Sequence, residues 1–169
     1  LILWSIVVKF KVLGFVPFMI LFLPAYSQGH HLVSEVIEPG NIDLNRAQFS
    51  EPIEVRIELD RHDPYVHLDY HARTRVHRVC DRCLADYEFA LDADGELLFV
   101  LGKSSAAGES GEDEIQYIPA DAQEIDLTVD LRDALMLSLP LKSLCREDCK
   151  GLCPNCGQDL NEGMCNCSS

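Results

Sequence analysis

The chain has 169 residues, enough for one domain of ordinary size and a small appendage. A hydrophobic share of 47% supports a packed core and argues against global disorder. With 28 acidic residues against 14 basic ones, the formal charge of -14 repels nucleic acid at long range, so contact with RNA or DNA needs a local basic patch or a partner protein.

Residues 1–27 are strongly apolar, interrupted by Lys9 and Lys11. The unbroken stretch from Val12 to Ala25 is short for a spanning helix, which wants roughly 18 residues or more. Three readings stay open. Lysines, an apolar middle and Ala25-Tyr26-Ser27 fit a signal peptide. A membrane anchor is the second. The third is a misplaced start: the chain opens on Leu1, Met19 is the better first residue, and Ile20 to Leu23 would form a first strand.

Residues 28–144 read as an α+β core. Ile53, Val55, Ile57 and Leu59 alternate with Glu54, Arg56 and Glu58, the pattern of a half-buried strand. Asp60 to Pro64 is a turn by composition. A second alternation puts Val66, Leu68, Tyr70, Ala72, Thr74 and Val76 on one face; His67, Asp69, His71, Arg73, Arg75 and His77 take the other. A third strand is expected through Tyr87, Phe89 and Leu91, and a fourth through Leu97, Phe99 and Leu101. Cys80-Asp-Arg-Cys83 falls at the tip of the hairpin between the second and third.

Residues 103–114 are small, polar and acidic, a flexible loop, and Ile115 to Pro119 adds a short strand. Leu127, Leu131, Ala134 and Leu135 then recur at helical spacing, with Val129 fitting less well. Asp126 or Thr128 can cap this helix of about three turns, and Pro140 ends it. The leucine stripe is read as packing on the sheet. The expected fold is therefore an antiparallel sheet with one main helix and a cysteine-rich tail over 145–169.

The tail holds Cys145, Cys149, Cys153, Cys156, Cys165 and Cys167. In Cys153-Pro-Asn-Cys156-Gly157, two thiolates two residues apart can grip one tetrahedral ion from a single turn, and Gly157 permits the positive φ needed beneath it. Cys165 and Cys167 supply a second pair after a polar loop with Asn161 and Gly163 as turn residues. So short a tail cannot fold on its apolar content, whereas structural zinc contributes on the order of 10 kcal/mol. Cys80 with Cys83, and Cys145 with Cys149, are each half of a four-ligand site and together make one. Two zinc ions are expected: one on Cys153, Cys156, Cys165 and Cys167, the other on Cys80, Cys83, Cys145 and Cys149.

Other cysteine chemistries fit less well. A redox dithiol opens a helix after a strand, while strand patterns flank Cys80 and Cys83 on both sides. Cys149, Cys153 and Cys156 match the spacing of radical SAM enzymes, but only 13 residues follow Cys156. Iron–sulfur ligation without that chemistry remains. Disulfides in a secreted or redox-active protein become the alternative if the leader is real. No glycine-rich phosphate loop and no nucleophile-and-base arrangement is recognisable, so no enzyme is expected.

Four arginines, Arg73, Arg75, Arg78 and Arg82, and three histidines lie between His67 and Arg82, a basic exception in an acidic chain. They are candidate contacts for RNA or a partner; the competing reading is a solvated strand face paired to neighbouring acids.

The Cys-Asp-Arg-Cys-Leu run after a basic strand, then EIDLTVDLRDALMLSLPLKSLC, then CKGLCPNCGQDLN with a closing C-x-C, resembles the YceD family over about residues 50–169. The resemblance implies a bacterial, cytoplasmic factor linked to accumulation of large-subunit ribosomal RNA. Its partner would be that RNA or a ribosomal protein, with no small-molecule substrate. It also implies that the pair matching Cys80 and Cys83 recurs in members without the tail, and that a leader is foreign to the family. A basic ribosomal protein would be drawn to the acids at Glu109 to Glu114 and Asp121 to Asp133.

Overall fold

A computed structural model describes residues 19–102 and 115–167. The signal-peptide and anchor readings of the leader, and the acidic loop at 103–114, lie largely or wholly outside these residues. Eight elements follow in order: β1 (Ile20–Phe22), β2 (Gly29–Ile37), β3 (Ile53–His62), β4 (Tyr65–Val79), β5 (Asp86–Leu101), β6 (Ile115–Ile118), β7 (Glu124–Asp126) and α1 (Thr128–Leu137). The fold is α+β, with five strands ordered β2-β3-β4-β5-β6 and a separate ribbon of β1 with β7. Among the described residues, no helix is long and apolar enough to cross a membrane.

The two alternations form adjacent antiparallel strands. Ile57 faces Tyr70 and Leu59 faces Leu68, so the apolar sets share one side of the sheet. Ile53, Val55, Ile57, Leu59, Val66, Leu68, Ala72 and Val76 are all buried. The same core holds Leu21 and Ile125 of the small ribbon and Leu131 and Leu135 of α1, which cover the sheet's inner face. Thr74, a polar residue on that face, donates its hydroxyl to the Glu51 carbonyl at 3.1 Å. Ile20–Phe22 is a strand, with Leu23 in the turn that follows, and Met19 is buried: its amide donates to Thr128 Oγ1 at 2.9 Å and its carbonyl accepts from Leu127 at 2.8 Å.

The helix spans ten residues, with Leu131 and Leu135 inward and Val129 outward. Asp126 Oδ1 accepts the Thr128 amide at 2.8 Å, satisfying one free donor of the first turn.

Three features depart from expectation. The third and fourth strands are one, β5, running through Ala-Asp-Gly-Glu, which reads as a turn by composition. The sheet is not wholly antiparallel, because β6 joins β5 in parallel. A further strand, β2, pairs along all of β3 from Gly29–Arg61 to Ile37–Ile53.

Gly95 lies in the middle of β5. It stands opposite Tyr70, and a side chain there would collide with the Tyr70 ring. The ring fills the space a Cβ would occupy, and its hydroxyl points to the Asp130 carbonyl of α1 at 3.4 Å. Burial foremost, then Asp130 and Asp133, push the Tyr70 phenol above its ordinary pKa, so it stays protonated. Gly95→Ala is expected to cost about 1–3 kcal/mol by overpacking. In a Tyr70→Ala background the same change should cost far less, because contacting sites are not additive. Urea denaturation of the four proteins tests this, and equal costs in both backgrounds would disprove the contact.

Candidate metal centre

The long hairpin of β4 and β5 runs from Tyr65–Val100 to Val79–Asp86 and ends in Cys80-Asp-Arg-Cys83. At that end the Cys80 amide donates to Ala85 O at 2.9 Å and the Leu84 amide to Cys80 O at 3.0 Å. The tail repeats the turn: the Gly157 amide donates to Cys153 O at 2.9 Å. Both turns require a left-handed residue after the second cysteine. Gly157 takes φ +74 without strain, whereas Leu84 takes φ +58, at a cost on the order of 1–2 kcal/mol.

The eight cysteines converge as two tetrads, Cys80, Cys83, Cys145 and Cys149, and Cys153, Cys156, Cys165 and Cys167, the sulfurs of each lying within 4.8 Å of one another. Cys80 and Cys149 Sγ stand 3.7 Å apart, Cys83 and Cys145 3.7 Å, and Cys153 and Cys165 3.3 Å. A disulfide needs about 2.05 Å. A tetrahedron with metal–sulfur bonds of about 2.3 Å has edges of about 3.8 Å. Four soft thiolates at that spacing fit a single tetrahedral ion. The hairpin and the tail therefore each carry a site that could hold one metal. The hairpin tetrad is the more enclosed: Cys80, Cys83 and Cys149 are buried, with Tyr87, Leu144 and Leu152 packed around them.

Within each tetrad the thiols divide. Cys80 is lowered to about 6, first by the Cys83 backbone amide and then by those of Cys145 and Arg82, against burial. Cys153 is lowered to about 6 by the amides of Cys156 and Asn155. Cys145 is pushed up to about 12 by burial and then by the sulfurs of Cys83 and Cys149. Cys167 rises to about 11, first through the Cys156 thiol and then through burial. One thiolate per cluster is supported by backbone amides, while burial and the neighbouring sulfurs keep Cys145 and Cys167 protonated; a cation seated among the sulfurs would favour their thiolate forms.

The two residues inside the hairpin turn clamp the tail, which sequence alone did not reveal. Asp81 exchanges two bonds with Ser143: its Oδ2 accepts the Ser143 amide at 2.7 Å and its own amide donates to Ser143 O at 2.7 Å. Tyr87 and Ser143 hydroxyls meet at 2.9 Å. Arg82 Nη1 donates to the Cys149 carbonyl at 2.7 Å, and Arg82 O accepts from Leu152 at 3.1 Å. Arg82, a candidate RNA contact by sequence, is thus engaged within the chain.

The remaining arginines do not form one patch. Arg73 and Arg75 point to the outer face beside acids: Arg73 lies 3.6 Å from Asp92, and Arg75 lies 3.7 Å from both Glu51 and Glu88. The histidines of the stripe are also matched, His67 to Glu96 at 2.7 Å, His71 to Asp94 at 2.7 Å and His77 to Asp86 at 3.2 Å. Arg78 stands opposite Tyr87, and by strand alternation it takes the other face of the sheet. His67, Asp69 and Glu96 also gather within 4.8 Å, but on the solvent side as an exposed ion-pair group.

Residues 68–169, well over half of the chain and including both tetrads, match the family model described as large ribosomal RNA subunit accumulation protein YceD. The chain belongs to the YceD family. Relatives of this YceD-family chain include the chloroplastic YCED homolog 1 of Zea mays, 28% identical over 76% of this chain and 53% of that protein. The homolog of the same name in Arabidopsis thaliana is 26% identical over 69% of this chain and 44% of that protein. An uncharacterized protein of Mycobacterium tuberculosis is 36% identical over 48% of this chain and 38% of its own length. The chain thus spans about half the length of the plant relatives it matches. No solved structure gives a significant match. The YceD match begins inside β4, so the family model spans most of the hairpin, the helix and the tail, while β1 to β3 precede it.

An ion held by four sulfurs would take all four thiols of a tetrad as thiolates. Near pH 7 Cys80 and Cys153 are largely deprotonated while Cys145 and Cys167 keep their protons, so uptake releases protons and affinity rises with pH. Below about pH 6 Cys80 and Cys153 protonate too, and affinity should fall more steeply. Chelator competition between pH 5 and 8 tests this; an affinity independent of pH would contradict four-thiolate ligation.

Proposed function

We propose that this chain is a non-enzymatic zinc-binding factor that promotes accumulation of large-subunit ribosomal RNA in the bacterial cytoplasm. The observation that carries the reading is the pair of closed four-sulfur tetrads in a chain whose family is described by that role. Zinc suits them because it accepts tetrahedral sulfur with no redox demand and, in structural sites, takes all four ligands from protein. A closed site leaves no position for substrate or water, which supports a structural rather than catalytic metal. Thiolate sites also suit a reducing compartment.

For the partner, the electrostatics favour a basic protein of the large subunit over RNA. The basic residues of β4 are flanked by Asp86, Glu88, Asp92, Asp94 and Glu96 on β5 and by Glu54, Glu58 and Asp60 on β3. An RNA backbone approaching this face meets carboxylates on both sides, whereas a cationic protein is attracted and its encounter hastened.

Native mass spectrometry should find two zinc ions per full chain; four disulfides and no metal would overturn the zinc reading. Deletion of the gene should leave a deficit of large subunits on sucrose gradients, and normal subunit ratios would remove the functional assignment. Arg73→Gln with Arg75→Gln should change stability by under about 1 kcal/mol per residue, since the pairs are exposed. Binding to the large-subunit fraction should not weaken. A loss of RNA affinity with a flatter salt dependence would instead make RNA the partner, because each phosphate contact releases about one counterion.

A further inference from the structure

The segment from Cys149 to Cys153 carries one ligand of each tetrad at its two ends, and it is held from both sides. On the hairpin side stand the two Arg82 contacts, to Cys149 O and from Leu152 N. On the tail side stands the loop between Cys156 and Cys165. Gln158 O accepts the Cys153 amide at 2.8 Å, and Gly151 O accepts the Leu160 amide at 2.9 Å. Asn161 Oδ1 accepts the Lys150 amide at 2.8 Å. The amide of the same Asn161 side chain reaches the other tetrad: Nδ2 donates to Cys149 Sγ at 3.4 Å.

Asn161 thus belongs by position to the tail site and by contact to the hairpin site. Its loop is closed at both ends by tail ligands, so the ion that draws Cys156 and Cys165 together fixes the loop. Its side chain is held by Asp159, whose Oδ1 accepts from Asn161 N at 2.8 Å and from Nδ2 at 2.6 Å. A thiolate tetrad around a divalent ion carries a formal charge of -2, and an N–H donor aimed at one sulfur spreads that charge. Partners of this kind, outside the ligands themselves, commonly change metal affinity by about 10- to 100-fold.

We propose that the two metal sites are coupled through Asn161, so that an ion in the tail site orders the loop that completes the hairpin site and loading is positively cooperative. Asn161 is a positioning residue in this scheme. The inference rests on the zinc-binding reading above. Coupling of equilibrium affinities is reciprocal, so an empty hairpin site must weaken the tail site by the same factor.

The test uses the full chain with cobalt(II) as probe, read by its thiolate charge-transfer absorption during chelator competition. Emptying the tail site with Cys153→Ser and Cys156→Ser should weaken the hairpin site by about tenfold or more. Cys80→Ser with Cys83→Ser should weaken the tail site by an equal factor. Because such variants can lose the local fold, a milder exchange accompanies them: Asp159→Asn with Asn161→Asp. It preserves net charge and an acceptor for Lys150, keeps one of the two bonds that Asp159 Oδ1 accepts from Asn161, and replaces the donor facing Cys149 with a carboxylate. It should weaken the hairpin site by about tenfold or more, with a shifted charge-transfer band, and a purely structural role for Asn161 would leave both unchanged. Two ions bound with affinities indifferent to all three variants would overturn the coupling and leave the zinc reading standing. A wild-type chain that binds no metal would overturn both.

Discussion

A fifteen-residue strand needs something to hold its far end. β3 pairs with β4 only as far as Arg73, so from Thr74 to Val79 the hairpin is two strands wide, apart from a bridge between Phe49 and Val76. Two-stranded ribbons are marginal in water. The far end is held by Asp81 and Arg82, bonded to Ser143, Cys149 and Leu152, and beside them Cys80 meets Cys149 and Cys83 meets Cys145, 69 and 62 residues away along the chain. A single ion there would join the hairpin tip to the start of the tail, and the loop so closed contains the whole of β5, β6, β7 and the helix. Restricting so long a loop lowers the entropy of the unfolded chain, which is how a distant cross-link stabilises a fold.

Charge follows the same geometry. The acidic excess is arranged in strands flanking a basic one, so the outer face is self-compensating across β4 and negative at both sides. Exposed pairs like these contribute little to stability, but they fix register, because a slip of one residue would place Asp92 and Asp94 against the apolar side of β4. The edges of that face are therefore largely carboxylate, and each four-thiolate site, if it held a divalent ion, would add a formal charge of -2 to the chain.

Much of this architecture was legible in the sequence because the signal was periodic. Ile53 to Leu59 and Val66 to Val76 alternate strictly, since one face is buried and the other wet. The cysteines were legible by counting, as two half-sites of two make one site of four. Neither rule finds β2, an edge strand whose Leu32 and Val36 are exposed and whose inner face is filled only in part. The join of two expected strands into β5 was hidden because Asp94-Gly95 signals a turn, whereas the chain stays paired with β4 there and glycine leaves room for the Tyr70 ring. The arginines were legible as a count but not as a surface: Arg73 and Arg75 share a face beside acids, Arg78 takes the other, and Arg82 bonds to the tail. Asp81 and Ser143 left no sequence signal, and Asn161 signalled only a turn, since their roles depend on segments brought together only by the fold.

The two cysteine turns differ in a way that orders them. The tail turn has Gly157 where the backbone needs a left-handed residue and can form from its own sequence. The hairpin turn has Leu84 there, exposed and strained, so its conformation must be imposed by what surrounds it: the strands on one side, and Asp81 and Arg82 bound to the tail on the other. A strained turn persists only where neighbouring structure over-determines it. Most of those restraints run through residues 143–152, which lead directly into the tail site. The self-sufficient turn thus supports the dependent one, and the small tail, with little apolar material of its own, is what fixes the end of the largest hairpin in the chain.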